Sequence, residues 1–193
     1  DAISFLAIIY GENEDYDNSI DNLIRASDIY KELGSDERKM EGNLSLIARY
    51  YRLKGDYDKA LEYHERCISE FDIKFRNEWD YWDLGIISSN KGDYDKALEY
   101  YNHSLEMLED RGQAKLIVGD ILLDIGIVYY NKGEYEKAEE TFKKSLETLS
   151  NLQLNNRDVY YFTTIYLYLV YKHLGKEYDV IDVLKHISEI SDR

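Results

Sequence analysis

One ten-residue word, KGDYDKALEY, occurs twice without change, at residues 54–63 and 91–100. A third copy, KGEYEKAEET, covers 132–141. Weaker copies begin at Asn13 (NEDYDNSIDN) and at Leu174 (LGKEYDVIDV, its tyrosine displaced by one position). Chance does not produce such identity in 193 residues. Repetition of this kind restricts the chain to folds in which one small unit is stacked on itself.

The chemistry of the word is that of a helix, a turn and a second helix. Gly55, Gly92, Gly133 and Gly175 each close an apolar run, where a residue in the left-handed conformation ends a helix. Asp56 and Asp93 follow as N-caps of the next helix. Asp58, Asp95 and Glu136 fall in its first turn, where negative charge suits the helix dipole. Ala60, Ala97 and Ala138, five residues after each glycine, let two helices approach closely. Before the glycines, Leu44, Ile47, Ala48 and Tyr51 have helical spacing, as do Leu122, Ile125, Gly126 and Tyr129.

This pattern resembles the tetratricopeptide repeat, whose first helix carries a large residue, then Leu-Gly, then Tyr, and whose second carries Ala, an aromatic residue and Ala. Three copies match strongly. The first departs with Ser19 in the alanine slot, and the last with Tyr168 in the small-residue slot. The closing proline is missing throughout, the chain having none. Successive glycines are 37, 41 and 42 residues apart (55 to 92, 92 to 133, 133 to 175), against about 34 in the usual repeat. Six extra residues amount to about 9 Å of helix, nearly one turn on each member of a pair. The stretched period resembles that of spindle-orientation adaptors, kinesin light chains and bacterial peptide-sensing regulators.

The resemblance implies an all-α, right-handed α-α superhelix of about five helix-turn-helix repeats. Helices are predicted at 1–12, 15–33, 36–53, 56–73, 77–90, 93–110, 113–131, 134–151, 157–174 and 177–191, with short joints at Gly34–Ser35 and Asn155–Asn156. The corresponding repeats, 1–35, 36–76, 77–111, 112–155 and 156–193, are expected to form a single array.

Composition narrows the function. Acidic residues outnumber basic ones 39 to 24, a net charge of −15 that opposes nucleic acid and anionic membranes as partners and permits a basic one. Twenty tyrosines suit thin helical layers, where a ring is buried and its hydroxyl reaches water. The single Cys67 excludes an internal disulfide and fits a reducing, cytoplasmic setting. The longest apolar stretch, Val159–Tyr171, is too short to span a bilayer. A chain that opens on Asp1 rather than methionine is expected to be a piece of a longer protein, so a missing targeting signal carries no weight.

No catalytic constellation emerges. His64 and Cys67 share one helix face at i,i+3, but both fall in packing slots of the repeat, and two ligands do not make a metal site. Glu139 and Glu140 read as surface charges of a second helix. No enzyme activity, cofactor or metal is expected.

In the family the first helices line a concave groove. Carried over position by position, the resemblance selects Arg49 and Leu53 in the second repeat, and Trp82, Asp83, Ile86 and Asn90 in the third. It selects Asp124, Ile127 and Asn131 in the fourth, and Tyr166 and Leu169 in the fifth. The clamp that holds carboxyl-terminal chaperone tails is missing, because Arg49, Ile86 and Ile127 stand where the family's asparagine does. The expected partner is a protein or peptide with apolar anchors and basic residues. The leading reading is an adaptor or scaffold. A sensory module of a larger signalling or transcription protein is the second reading, and homo-oligomerisation the third.

Overall fold

A computed structural model describes residues 2–34, 37–71, 78–110, 115–150 and 157–177. The predicted helix at 177–191 beyond its first residue, Ser35 and the joint at Asn155–Asn156 lie outside them. Among the described residues there are nine helices and no strand. They are α1 (Ala2–Glu12), α2 (Tyr16–Glu32), α3 (Glu37–Leu53), α4 (Tyr57–Glu70), α5 (Glu78–Asn90), α6 (Tyr94–Asp110), α7 (Lys115–Asn131), α8 (Tyr135–Ser150) and α9 (Arg157–Leu174). The chain divides into two compact units, Asp1–Lys91 and Gly92–Arg193.

In the first unit each helix packs on the next, α1 on α2 through to α4 on α5. The core gathers Ala7, Ile20, Leu23, Leu44, Ile47 and Tyr50. In the second unit α6 packs on α7, α7 on α8 and α8 on α9, and α7 also touches α9. Ala138, Phe142, Leu167 and Val170 lie in a core of that unit. Neighbours in sequence are neighbours in space because no single pair can bury its own apolar stripe.

The turns are built as the sequence word requires. Gly55, Gly92, Gly133 and Gly175 have φ of 80°, 82°, 77° and 64°. Asp56 N–H donates back to the Tyr51 carbonyl at 2.9 Å and Glu134 N–H to that of Tyr129 at 2.9 Å, closing the helix ends. The Asp56 carboxylate then accepts from Lys59 N–H at 3.3 Å, capping α4. The first turn lacks a glycine, and Glu14 takes the left-handed conformation there at φ 61°. Such a backbone costs a side-chain-bearing residue energy that glycine avoids.

Departures from the consensus have local explanations. Ser19, in the alanine slot, is fully buried, and its hydroxyl donates to the Ala7 carbonyl at 2.7 Å. A small polar side chain is tolerated there because it is paired. Tyr168, in the small-residue slot, is exposed.

A second device joins successive pairs within each unit. The lysine beside each turn reaches back to an acid on the preceding second helix. Lys54 bonds Asp17, Lys91 bonds Asp58 at 2.6 Å, Lys132 bonds Asp95, and Lys176 bonds Glu139. Asp58 and Asp95 thus serve a tertiary contact as well as the dipole of their own helix. Glu139 differs from the surface charge expected of it. It is largely buried and bridges Lys143 and Lys176, because its helix turns it toward the following turn.

Candidate functional site

Aligning the turns superimposes the first helices. With Glu14 as the first turn, residues 5, 46, 83, 124 and 166 are equivalent, as are 8, 49, 86, 127 and 169, and 12, 53, 90, 131 and 173. These positions are spaced three and four apart and occupy one side of each helix.

The structure leaves most of this side accessible. Arg49, Leu53, Asn90 and Asn131 are exposed, and Trp82, Ile86, Asp124, Ile127, Tyr166 and Leu169 are half-buried. Asn90 bends back, its side-chain amide donating to the Ile86 carbonyl at 2.9 Å. Trp82 lies 5.3 Å from Trp79 between ring centroids. Tyr166 sits between Tyr130 and Phe142, with centroids 5.8 and 5.7 Å away. Ile127 and Tyr166 therefore each present one edge outward from a packed base.

Asp83 does not match its equivalent, Asp124. It is buried, and its carboxylate takes the Arg52 guanidinium at 2.8 Å and lies 3.7 Å from His64 Nε2. The other His64 nitrogen faces Asp80 at 3.3 Å, and the Ser45 hydroxyl donates to the same Asp80 oxygen at 2.5 Å. His64 and Asp80 are both fully buried. Burial pushes the Asp80 carboxyl up, but the His64 ring and the Ser45 hydroxyl outweigh it and hold the group below the ordinary carboxylate range. A network of charge in a dry interior is held in place by its own partners. It ties α3, α4 and α5 together, and Asp83 belongs to it. Nearby Cys67 is buried with its thiol 3.9 Å from the Glu41 carbonyl, and burial pushes that thiol up. It is a packed thiol and not a nucleophile.

Sequence reading missed two positions on this side. Phe5 and Ile8 of α1 are equivalent to Asp83 and Ile86 and are exposed. Ser19 in the alanine slot marked the first repeat's register, but the groove positions were not carried onto α1. That slot lies in the weak word at Asn13, whose Glu14 aligns with Gly55.

Among the described residues no cluster of three or more His, Cys, Asp or Glu side chains is placed to hold a metal ion. No helix among them is long and apolar enough to cross a membrane.

Stacked helix pairs closed by left-handed turns, with an accessible side on the first helices, define a helical-repeat protein. The tetratricopeptide repeat model matches residues 1–69 and 79–151, and the chain belongs to that family. Proteins of the family generally mediate protein–protein interaction or scaffolding. No curated protein sequence matches the chain. Among solved structures it is similar to BtubC (BKLC) of P. vanneervenii, with 23% identity, a TM-score of 0.83, and coverage of 98% of this chain and 78% of that one. It is also similar to a candidate kinesin light chain of Podosopora anserina with nearly identical TPR-like repeats, at 14% identity, a TM-score of 0.74, and coverage of 98% and 93%. For MamA the values are 15%, 0.67, and 96% and 94%. At these identities the likeness shows the fold, an α-α solenoid.

Proposed function

We propose that the chain is a protein- or peptide-binding adaptor without catalytic activity, and that its partner lies along the accessible side of the first helices. The carrying observation is a contrast between the two helices of a pair. On the second helices the acidic positions Asp17, Asp58, Asp95 and Glu139 are matched by lysines of the same unit. On the first helices, Ile86 and Ile127 are apolar, half-buried and set among polar neighbours, as a binding surface requires.

Arg49 and Leu53 with Trp82, Ile86 and Asn90 form this surface in the first unit. Asp124, Ile127, Asn131, Tyr166 and Leu169 form it in the second. Asp83 contributes by positioning Arg52, since its own carboxylate is engaged. The partner we infer is an extended or helical segment with apolar anchors. Basic residues on it would suit the net charge of −15.

The test is affinity capture of a partner, identification by mass spectrometry, and titration of variants. Ile86→Ala and Ile127→Ala should each raise Kd about tenfold, as anchor residues do. Glu140→Lys, on the opposite side, should leave Kd unchanged. If Glu140→Lys abolishes binding and both isoleucine variants bind normally, the surface is misassigned.

A further inference from the structure

Ser45, Arg49 and Arg52 of α3 are spaced i, i+4, i+7 and form one stripe of that helix. The outer two are engaged by α5. The Ser45 hydroxyl donates to Asp80 at 2.5 Å, and the Arg52 guanidinium takes Asp83 at 2.8 Å. Arg49 stands between them, exposed, and makes no ion pair among the described residues. Neither nearby carboxylate is available to it. Asp80 is fully buried, with one oxygen facing both Ser45 and His64, and Asp83 is divided between Arg52 and His64. Drawing either toward Arg49 would strip a partner from a buried charge, which costs more than an exposed ion pair contributes. The exposure of Arg49 does not come from an end of the array, since α3 packs on α2, α4 and α5.

Arginine is singular in this row of positions. Its equivalents are Ile8, Ile86, Ile127 and Leu169, all apolar. Across from it, the turn of α5 that carries Asp80 and Asp83 also carries Trp79 and Trp82, with ring centroids 5.3 Å apart. Trp79 is 40% exposed and Trp82 is half-buried. On α3 the position equivalent to Trp79 is Gly42, where an added Cβ would meet nothing within 4 Å, so the surface is open at that level. Arginine and tryptophan are the residues that most often dominate binding energy at protein interfaces. A guanidinium takes a carboxylate with two parallel hydrogen bonds, and an indole face takes an apolar side chain. A second copy of the chain is a poor source of that carboxylate. The acids beside its turn tyrosines, Asp17, Asp58 and Asp95, are engaged by its own lysines.

We infer that the α3–α5 stretch of the adaptor surface reads one acidic side chain of the partner, seated on Arg49, next to an apolar side chain laid on Trp79 and Trp82. This inference rests on the adaptor reading and adds the register of the partner to it. Against a chain charge of −15 the partner segment is basic overall, and its one acidic residue fixes where along the first helices it sits. The carboxylate belongs to an aspartate or glutamate within the segment and not to a chain end.

A phage-displayed library of random peptides, panned on the 193-residue chain and separately on its Arg49→Glu variant, tests it. Peptides from the unaltered chain should carry aspartate or glutamate at a fixed distance from an apolar residue. Those from the variant should carry lysine or arginine at that place. The leading peptide from the unaltered chain is then made with an amidated C-terminus and titrated against tryptophan emission. The chain has 2 tryptophans, Trp79 and Trp82, so the signal reports this stretch alone. Arg49→Ile should raise Kd about threefold to fivefold, and Arg49→Glu about tenfold or more. The melting temperature should hold in both, since Arg49 is exposed and makes no ion pair among the described residues. The proposal is overturned if the selected peptides lack the acid, if Arg49→Ile binds as tightly, or if amidation abolishes binding. It is overturned equally if the chain forms a dimer that Arg49→Glu disperses, for then the occupant is a second copy. Peptides that ignore Arg49 but are weakened by Ile127→Ala sink this inference and leave the adaptor reading standing. Peptides that ignore Arg49, Ile86 and Ile127 alike, or a panning that enriches none, sink both.

Discussion

The same substitution, glycine to alanine in the middle of a helix, should have opposite signs at Gly42 and Gly126. A Cβ at Gly42 meets nothing within 4 Å. Alanine there should stabilise the fold by about 0.5–1 kcal/mol, the helix-propensity difference. A Cβ at Gly126 falls 2.3 Å from Phe142 Cε1 and 2.5 Å from Cδ1, where ordinary contact begins at 3.4 Å. The ring would have to withdraw by about 1.1 Å (3.4 less 2.3). Phe142 is fully buried, so it has no open space to enter. Overpacking costs about 1–3 kcal/mol, and the degree of overlap points to the upper half of that range. Set against the propensity gain, Gly126→Ala should destabilise by about 1–2 kcal/mol. Urea denaturation followed by circular dichroism gives both values. Phe142→Leu supplies a second check, because in the Gly126→Ala background it should cost less than in the parent, a coupling between neighbours. The repeats hint at this coupling, since Ala7 and Ala48, equivalent to Gly126, pair by position with Leu23 and His64 where Gly126 pairs with Phe142. Equal stabilisation by both alanines would refute the packing argument.

Three further outcomes follow from the same geometry. Ala97→Leu and Ala138→Leu should each cost about 1–3 kcal/mol in urea midpoint measurements, both alanines being fully enclosed, and unchanged midpoints would place the repeat register elsewhere. Asp58 and Asp95 are held below the ordinary carboxylate range by hydrogen bonds and charge from Lys91 and Lys132. The unfolded chain therefore takes up protons first, at about pH 3.9, so their stabilisation is present above that value and is lost as pH falls from there through the lowered folded values. Stability should drop as pH falls below about 5, and Asp58→Asn with Asp95→Asn should flatten the slope; an unaltered slope would contradict the ion-pair ladder. Cys67, buried with its thiol pushed up, should react with a thiol reagent far more slowly in the folded chain than in urea, and equal rates would contradict its burial.

The repeat word made the fold legible because it encodes local physics. A left-handed turn needs glycine or an energetic concession, and caps and apolar spacing act over a few residues. The described helices, α1 to α9, therefore begin and end within a few residues of where the sequence places them. Glu14 made the concession without glycine, and although Ser19 marked the first repeat's register, the groove was not extended to Phe5 and Ile8. Tertiary pairing was the other blind spot. His64 reads as an aromatic packing residue and Asp83 as a groove acid, and only the approach of α3, α4 and α5 reveals that they meet around Arg52 and Asp80. The lysine-to-acid ladder was more accessible. Both partners lie inside the repeated word, but the acids already had a local explanation in the helix dipole, which concealed their longer reach.

The adaptor reading is tested most directly by methyl NMR on isoleucine-labelled chain, titrated with a peptide selected for binding from a display library. The methyl signals of Ile86 and Ile127, on the first helices, should shift or broaden as peptide is added. Those of Ile24 and Ile68, half-buried on the second helices α2 and α4, should stay in place. Movement confined to Ile24 and Ile68, with Ile86 and Ile127 undisturbed at saturation, would contradict it.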